Sequence, residues 1–246
     1  MAAARFRFYA ELNDFLPPEQ RHREFVHEFG GIATVKDRIE SVGVPHTEVD
    51  LILVNQEPVD FAYRLADGDR VSVYPVFEAF DIAGLNRLRP EPLREPRFVL
   101  DTHLGKLAAY LRMIGFDTLY ANAAADEELA ALSRGEHRIL LTRDVGLLKR
   151  GAVTHGYFVR ETDARRQMTE VVRRFDLARL VRPFIRCMRC NHPLAEVARD
   201  AVRGRVPERA AELYDEFREC PGCGRVYWKG GHWRRMRQMV EAAGLY

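Results

Sequence analysis

The sequence predicts a mixed α/β protein of two modules, and three observations carry that reading. Residues 1–82 run strand, strand, helix, strand, strand. Residues 97–181 alternate buried strands with helices, and all four cysteines gather between residues 187 and 223 as two Cys-x-x-Cys pairs. A chain of 246 residues, 47% hydrophobic and 30% charged, has the composition of a globular protein and room for two modest domains. No apolar run reaches the ~18 residues of a membrane span. The first residues alternate charge with aromatic rings where an export signal would be apolar, so a cytoplasmic protein is expected.

In the first module, Arg5-Phe-Arg-Phe-Tyr9 alternates as a strand does, and Phe25–Phe29 forms a second strand broken by Gly30-Gly31. Thr34 is placed to cap a helix through Val35, Ile39 and Val42, with Gly43 as its stop. Val49–Asn55 reads as a strand, Asn55-Gln-Glu-Pro58 as a turn, and Leu65–Pro75 as a turn entering a last alternating strand. That order describes a small β-grasp. Val54-Asn55-Gln56 and Leu65…Gly68-Asp69-Arg70-Val71…Pro75 resemble the ubiquitin-like domains of the sulfur-carrier type. Such carriers are activated on an exposed C-terminal Gly-Gly, whereas here the chain runs on through Val76-Phe-Glu-Ala-Phe80. A docking or autoregulatory module, with a possible protein partner for residues 1–82, is therefore expected in place of a carrier.

Charge is unevenly spread. Residues 1–85 hold 8 basic and 15 acidic side chains, a net of −7; residues 86–181 hold 17 and 13, a net of +4; residues 182–246 hold 13 and 8, a net of +5. A polyanion is expected on the basic remainder and not on the first module. Residues 83–96, with Gly84, Pro90, Pro92 and Pro96 among charged residues, read as a semi-stiff linker.

The second module opens on Phe98-Val-Leu100, an apolar run without alternation, as in a strand buried on both faces. Asp101 or Thr102 then caps a helix over 103–114, whose Leu104, Leu107, Ala108 and Leu111 share one face and whose end is marked by Gly115. A strand at Thr118-Leu-Tyr120, a helix around 126–134, a strand over 138–142, a short helix near 145–149, a strand at 157–160 and a helix capped by Thr162 or Asp163 follow. Such alternation predicts a parallel sheet with helices on both faces.

Parallel α/β sheets bind their ligands at the carboxyl ends of the strands. Asp101 and Asp144 both follow buried-strand patterns, and Asp126 opens the run Asp-Glu-Glu-Leu-Ala-Ala-Leu132. Each is also an ordinary helix-capping residue. Together, three carboxylates at helix starts in one βαβα unit suit a hard divalent cation, Mg²⁺ or Mn²⁺. Glu127 or Glu128 is an alternative to Asp126, and Thr142 and Asp163 are candidates for a fourth ligand. Asp117 reads as a loop residue.

Asp101-Thr-His-Leu-Gly-Lys-Leu-Ala…Leu111-Arg…Gly115-Phe-Asp117, followed by Ile139-Leu-Leu-Thr-Arg-Asp144, resembles the C-terminal RNase domain family named after the Mut-7 exonuclease, which is PIN-like. The resemblance runs from about Arg97 to the chain end, includes the cysteine element, and implies a ribonuclease whose acidic cluster, here Asp101, Asp126 and Asp144, holds Mg²⁺ or Mn²⁺.

Cys187-Met-Arg-Cys190 and Cys220-Pro-Gly-Cys223, separated by 29 residues, are spaced as two zinc knuckles. Four thiolates close the coordination sphere, so this zinc is expected to be structural. Disulfides are the alternative, disfavoured in a reducing compartment, and His192 and His232 are possible but unneeded ligands. The spacer is long enough for a hairpin or short helix at 208–217. Beyond it, Arg225-Val-Tyr-Trp-Lys-Gly-Gly-His-Trp-Arg-Arg-Met-Arg237 mixes aromatic and basic side chains as RNA-binding segments do, although Tyr227 or Trp228 equally suits packing on the knuckle. Trp228, Lys229, His232 and Arg234 are the RNA-contact candidates there. Lys106, Arg143 and Lys149 are candidates for the substrate groove, and Arg112 is expected to be a surface charge.

The resulting expectation is a metal-dependent ribonuclease. The alternatives are an RNA- or ribosome-binding adaptor without turnover, a ubiquitin-like scaffold recruiting a protein partner, and a minimal toxin-type PIN nuclease, which the appended modules disfavour.

Overall fold

The computed structural model describes residues 1–75, 88 and 96–244. The expected chain run at 76–80 and all of the expected linker except Leu88 and Pro96 lie outside these residues. Leu88 packs against the core of the first module.

The first module is built on β1 (Ala2–Phe8), β2 (Phe25–Phe29), α1 (Val35–Ser41), β3 (Leu51–Val54), β4 (Glu57–Val59) and β5 (Arg70–Tyr74). Its five strands are ordered β2-β1-β5-β3-β4, with β1 and β5 parallel and the other pairs antiparallel. Period-2 alternation decides what each face does: Ala4, Phe6 and Phe8 point into the core while Arg5 and Arg7 face out. Thr34 caps α1 through a reciprocal pair, its Oγ1 accepting from Asp37 N at 3.2 Å while Asp37 Oδ2 accepts from Thr34 N at 3.1 Å. Val35 and Ile39 of α1 complete the core with Ile52, Val71 and Val73.

One strand more appears than the sequence predicts. The Asn55-Gln56 turn holds both residues at positive φ, 51° and 76°, the geometry of a tight hairpin, and so folds Glu57–Val59 back as β4. The Leu65…Asp69 motif also acquires a reason: the buried Asp69 carboxylate accepts from Ala66 N, Asn55 Nδ2 and Tyr63 Oη and ties two turns together.

The second module continues with β6 (Phe98–Leu100), α2 (Gly105–Met113), β7 (Thr118–Tyr120), α3 (Asp126–Gly135), β8 (Ile139–Thr142), α4 (Val145–Leu148), β9 (Gly156–Phe158) and α5 (Ala164–Arg174). β6 pairs with β7 and β8 with β9, both in parallel. Every residue of β6 and β8 is buried, which explains the unbroken apolar runs. α2 and α5 pack together, and the Phe98 ring meets Phe116 and Phe175 edge-on. Gly115 is obligatory at the end of α2: its φ is 105°, and a Cβ there would lie 2.3 Å from Arg182 O.

The cysteine element comprises β10 (Ala195–Val197), α6 (Arg199–Val202), α7 (Glu208–Leu213), β11 (Phe217–Glu219), β12 (Val226–Trp228) and α8 (Gly231–Ala242). Its antiparallel sheet is ordered β10-β11-β12. The spacer between the knuckles thus holds two short helices and two strands.

Contacts divide the chain into two compact units that do not follow the sequence modules. One is Met1–Glu95 with Ala125–Phe158, the other Pro96–Ala124 with Val159–Tyr246. The segment from α3 to β9 therefore groups with the ubiquitin-like module. No helix among the described residues is long and apolar enough to cross a membrane.

Candidate active site and metal centre

The four cysteine sulfurs all lie within 4.8 Å of one another, with Cys187 Sγ 3.6 Å from Cys223 Sγ and Cys190 Sγ 3.2 Å from Cys220 Sγ. A tetrahedron with Zn–S bonds of about 2.3 Å has edges of roughly 3.8 Å, so the sulfurs are already gathered at the scale of one zinc ion. Among the described residues they are the one group of three or more His, Cys, Asp or Glu side chains close enough to share a metal. Each knuckle is a tight turn, in which Asn191 N donates to Cys187 O and Gly224 N to Cys220 O, both at 2.9 Å. The Tyr227 hydroxyl reaches Cys187 Sγ at 3.1 Å. Burial pushes the Cys187 thiol up, but bonds from Tyr227 and the Cys190 and Arg189 amides prevail and lower it. Exposed His192 turns its ring over Gly222, and His232 is exposed on α8.

Arg112 is not the surface charge its position on α2 suggested. It is 5% exposed, and its guanidinium donates to Thr118 O at 2.8 Å, Arg189 O at 2.8 Å and Met188 O at 3.2 Å. Burial lowers its pKa, opposed by Cys187, Cys190 and Asp117. It remains a cation, because an arginine cannot be deprotonated in a protein. Four thiolates holding Zn²⁺ would carry a net −2, which a buried guanidinium beside the first knuckle would offset in addition to bonding the turn. Asn191, at φ 73°, adds a second tie: its Oδ1 accepts from Thr118 N and its Nδ2 donates to Asp117 Oδ1. Sequence reading missed Arg112 and Asn191. The available signal was an asparagine directly after a knuckle cysteine, where a left-handed turn is needed.

Asp101 follows β6, caps the 3-10 turn Thr102–Leu104 and is 7% exposed; its Oδ1 accepts from Thr102 N at 2.5 Å and Thr102 Oγ1 at 3.1 Å. Beside it lies an open cleft of about 720 Å³ lined by Thr102, His103, Lys106, Tyr110, Tyr120 and Arg165, with Asp163 at its edge. Lys106 is exposed there. Tyr120 Oη donates to Thr102 O at 2.8 Å, and its ring fills the space that a side chain at Gly105 would need. Asp163, not Thr162, caps α5, accepting from Arg165 N and Arg166 N.

Asp144 caps α4 through one oxygen, Oδ1 accepting from Gly146 N at 2.6 Å and Leu147 N at 3.3 Å. Buried Thr142 orients it, its Oγ1 accepting from Asp144 N at 2.9 Å. Asp126 begins α3, with Glu128 accepting from Ala125 N at 3.2 Å as the cap. Arg150, just past α4, reaches Asp126 at 3.5 Å and Glu127 at 2.9 Å. Asp126 and Asp144 are thus connected through the two ends of α4.

The basic candidates sort by what already holds them. Arg143 lies over the Phe158 ring at 5.9 Å, and Lys149 Nζ donates to Glu40 O at 2.7 Å. Trp228 packs with Phe217, Val202 and Val206, Lys229 pairs with Glu216, and His232 and Arg234 are exposed on α8.

Fold and site together define an α/β protein with an N-terminal ubiquitin-like β-grasp, a following parallel-sheet segment, and a four-cysteine centre towards its C-terminal end. The chain belongs to the Mut7-C RNAse domain family, whose model matches residues 96–240; the Mut7-C ubiquitin model matches residues 1–81. Among solved structures, the crystal structure of SAMP1 from Haloferax volcanii is 16% identical and covers 32% of this chain and 100% of its own, with a TM-score of 0.25. No curated protein matches. Membership makes a nuclease-type function and an RNA substrate the natural reading of this chain.

Proposed function

We propose that this protein is a ribonuclease that hydrolyses RNA phosphodiester bonds with Mg²⁺ or Mn²⁺ held on carboxylates, Asp101, Asp126 and Asp144 being the candidate ligands although they do not form one group of three able to share an ion. The observation that carries the proposal is the setting of Asp101 and Asp144. Each follows a fully buried parallel strand at its carboxyl end and has Oδ1 pinned by backbone amides. Carboxylate oxygens suit hard cations, and a ligand oriented by hydrogen bonds is held ready for one. A cation bound there supplies positive charge to the phosphate as it becomes more negative. Thr142 fixes Asp144, and Thr102 fixes Asp101. Lys106 and Arg165 offer charge to phosphates along the cleft, and Tyr110 and Tyr120 offer rings to bases. The cysteine centre holds zinc in a structural role.

The test is a cleavage time course on labelled single-stranded RNA with Mn²⁺ or Mg²⁺, comparing wild type with Asp144→Asn and Asp101→Asn. Loss of roughly 10²–10³-fold in rate in both variants, with RNA binding retained, is expected. Binding without cleavage by wild type leaves the adaptor reading, and the acidic residues are then helix caps alone.

A further inference from the structure

We propose that the ubiquitin-like module is a positioning element of the nuclease, gripping the β8–α4–β9 segment through Glu40, His46 and Glu48 and so fixing the helix that Asp144 caps. The grip itself stands on geometry alone; only its consequence for turnover rests on the ribonuclease reading.

Three contacts make it. Glu48, 0% exposed, accepts from Phe158 N at 2.5 Å through Oε1, so a buried carboxylate of the module satisfies a main-chain donor of β9. His46, 7% exposed, reaches Glu40 Oε1 at 2.6 Å through Nδ1 and Val153 O at 2.9 Å through Nε2. Lys149, the C-terminal cap of α4, returns the grip from the other side by donating to Glu40 O at 2.7 Å. Apolar contact seals the edge, with Phe15 meeting Phe158 edge-on at 5.5 Å. At Gly156 an added Cβ would lie 3.4 Å from Thr47 Cβ and 2.6 Å from a Leu148 methyl.

Buried ionisable groups are costly unless they are hydrogen-bonded, and here they bond to backbone atoms of a segment about a hundred residues away in sequence. A free docking module would keep such groups in water. Since α4 has only four residues, its position depends on its ends: Asp144 holds the first, Lys149 and Arg150 the last. Loosening the Lys149 end therefore loosens the carboxylate at the other.

The experiment compares the full-length wild type with Lys149→Met, Glu48→Ala and Glu48→Gln, by amide hydrogen exchange and by cleavage kinetics on single-stranded RNA with Mn²⁺. Glu48→Gln retains a carbonyl acceptor for Phe158 N and is expected to stay close to wild type. Lys149→Met and Glu48→Ala are expected to speed exchange over 144–158 by roughly tenfold or more. Their kcat should fall while KM stays within about twofold. Should Glu48→Ala unfold the module, Lys149→Met, which removes nothing from its core, decides. Unchanged exchange over 144–158 in Lys149→Met overturns the grip whether or not RNA is cut. A raised KM with unchanged exchange makes Lys149 an RNA contact and also overturns it. If wild type cuts no RNA, the ribonuclease reading fails by itself, and exchange still judges the grip.

Discussion

Arg112 is a buried charged side chain, and three carbonyl oxygens account for it. Lysine cannot reproduce three donors aimed along a planar fork. Arg112→Lys is accordingly expected to cost about 2–3 kcal/mol in urea unfolding and to speed zinc loss to a chelator, whereas Arg134→Lys, on the exposed face of α3, should do neither. Gln56 presents the opposite case, a residue that bears backbone strain to turn the β3–β4 hairpin, where no side chain is needed. It holds φ 76° where glycine rests easily, so Gln56→Gly should stabilise the module by up to about 1 kcal/mol, read as a raised melting temperature.

Elements whose reasons are local were legible in the sequence. The Thr34 cap, the Gly115 stop, the apolar runs of β6 and β8 and the two knuckles each declare themselves within a few residues. What stayed hidden depends on partners far along the chain: Arg112 bonds to Met188 and Arg189, Lys149 to Glu40, and Glu48 to Phe158. The β12–α8 segment shows the same limit, because composition alone cannot say which face an aromatic ring turns inward. Trp228 packs with Val202, Val206 and Phe217, so Trp228→Ala should lower the melting temperature of the cysteine element before it affects RNA. His232 and Arg234 remain exposed. Arg234→Ala should leave stability unchanged and reduce the slope of log affinity against log salt by about one, measured by RNA titration at several salt concentrations.

For the whole molecule, charge and grip pull in different directions. The first 85 residues carry a net of −7 and repel a polyanion, while the same segment holds α4 in place. Deleting residues 1–75 is therefore expected to tighten RNA binding at low salt and yet to slow cleavage. Filter binding and single-turnover kinetics on one preparation would separate the two effects, and faster cleavage by the truncated chain would show the module to be a brake.

The contacts that seat the module on α4 and β9 join residues about a hundred positions apart in one chain. Held in one covalent chain, they act at an effective concentration of roughly millimolar instead of at the concentration of two free proteins. Covalent continuity is thus a working part of the interface. A single proteolytic cut between the module and β6, leaving every contact residue untouched, would turn the grip on α4 into a bimolecular contact whose strength then depends on concentration.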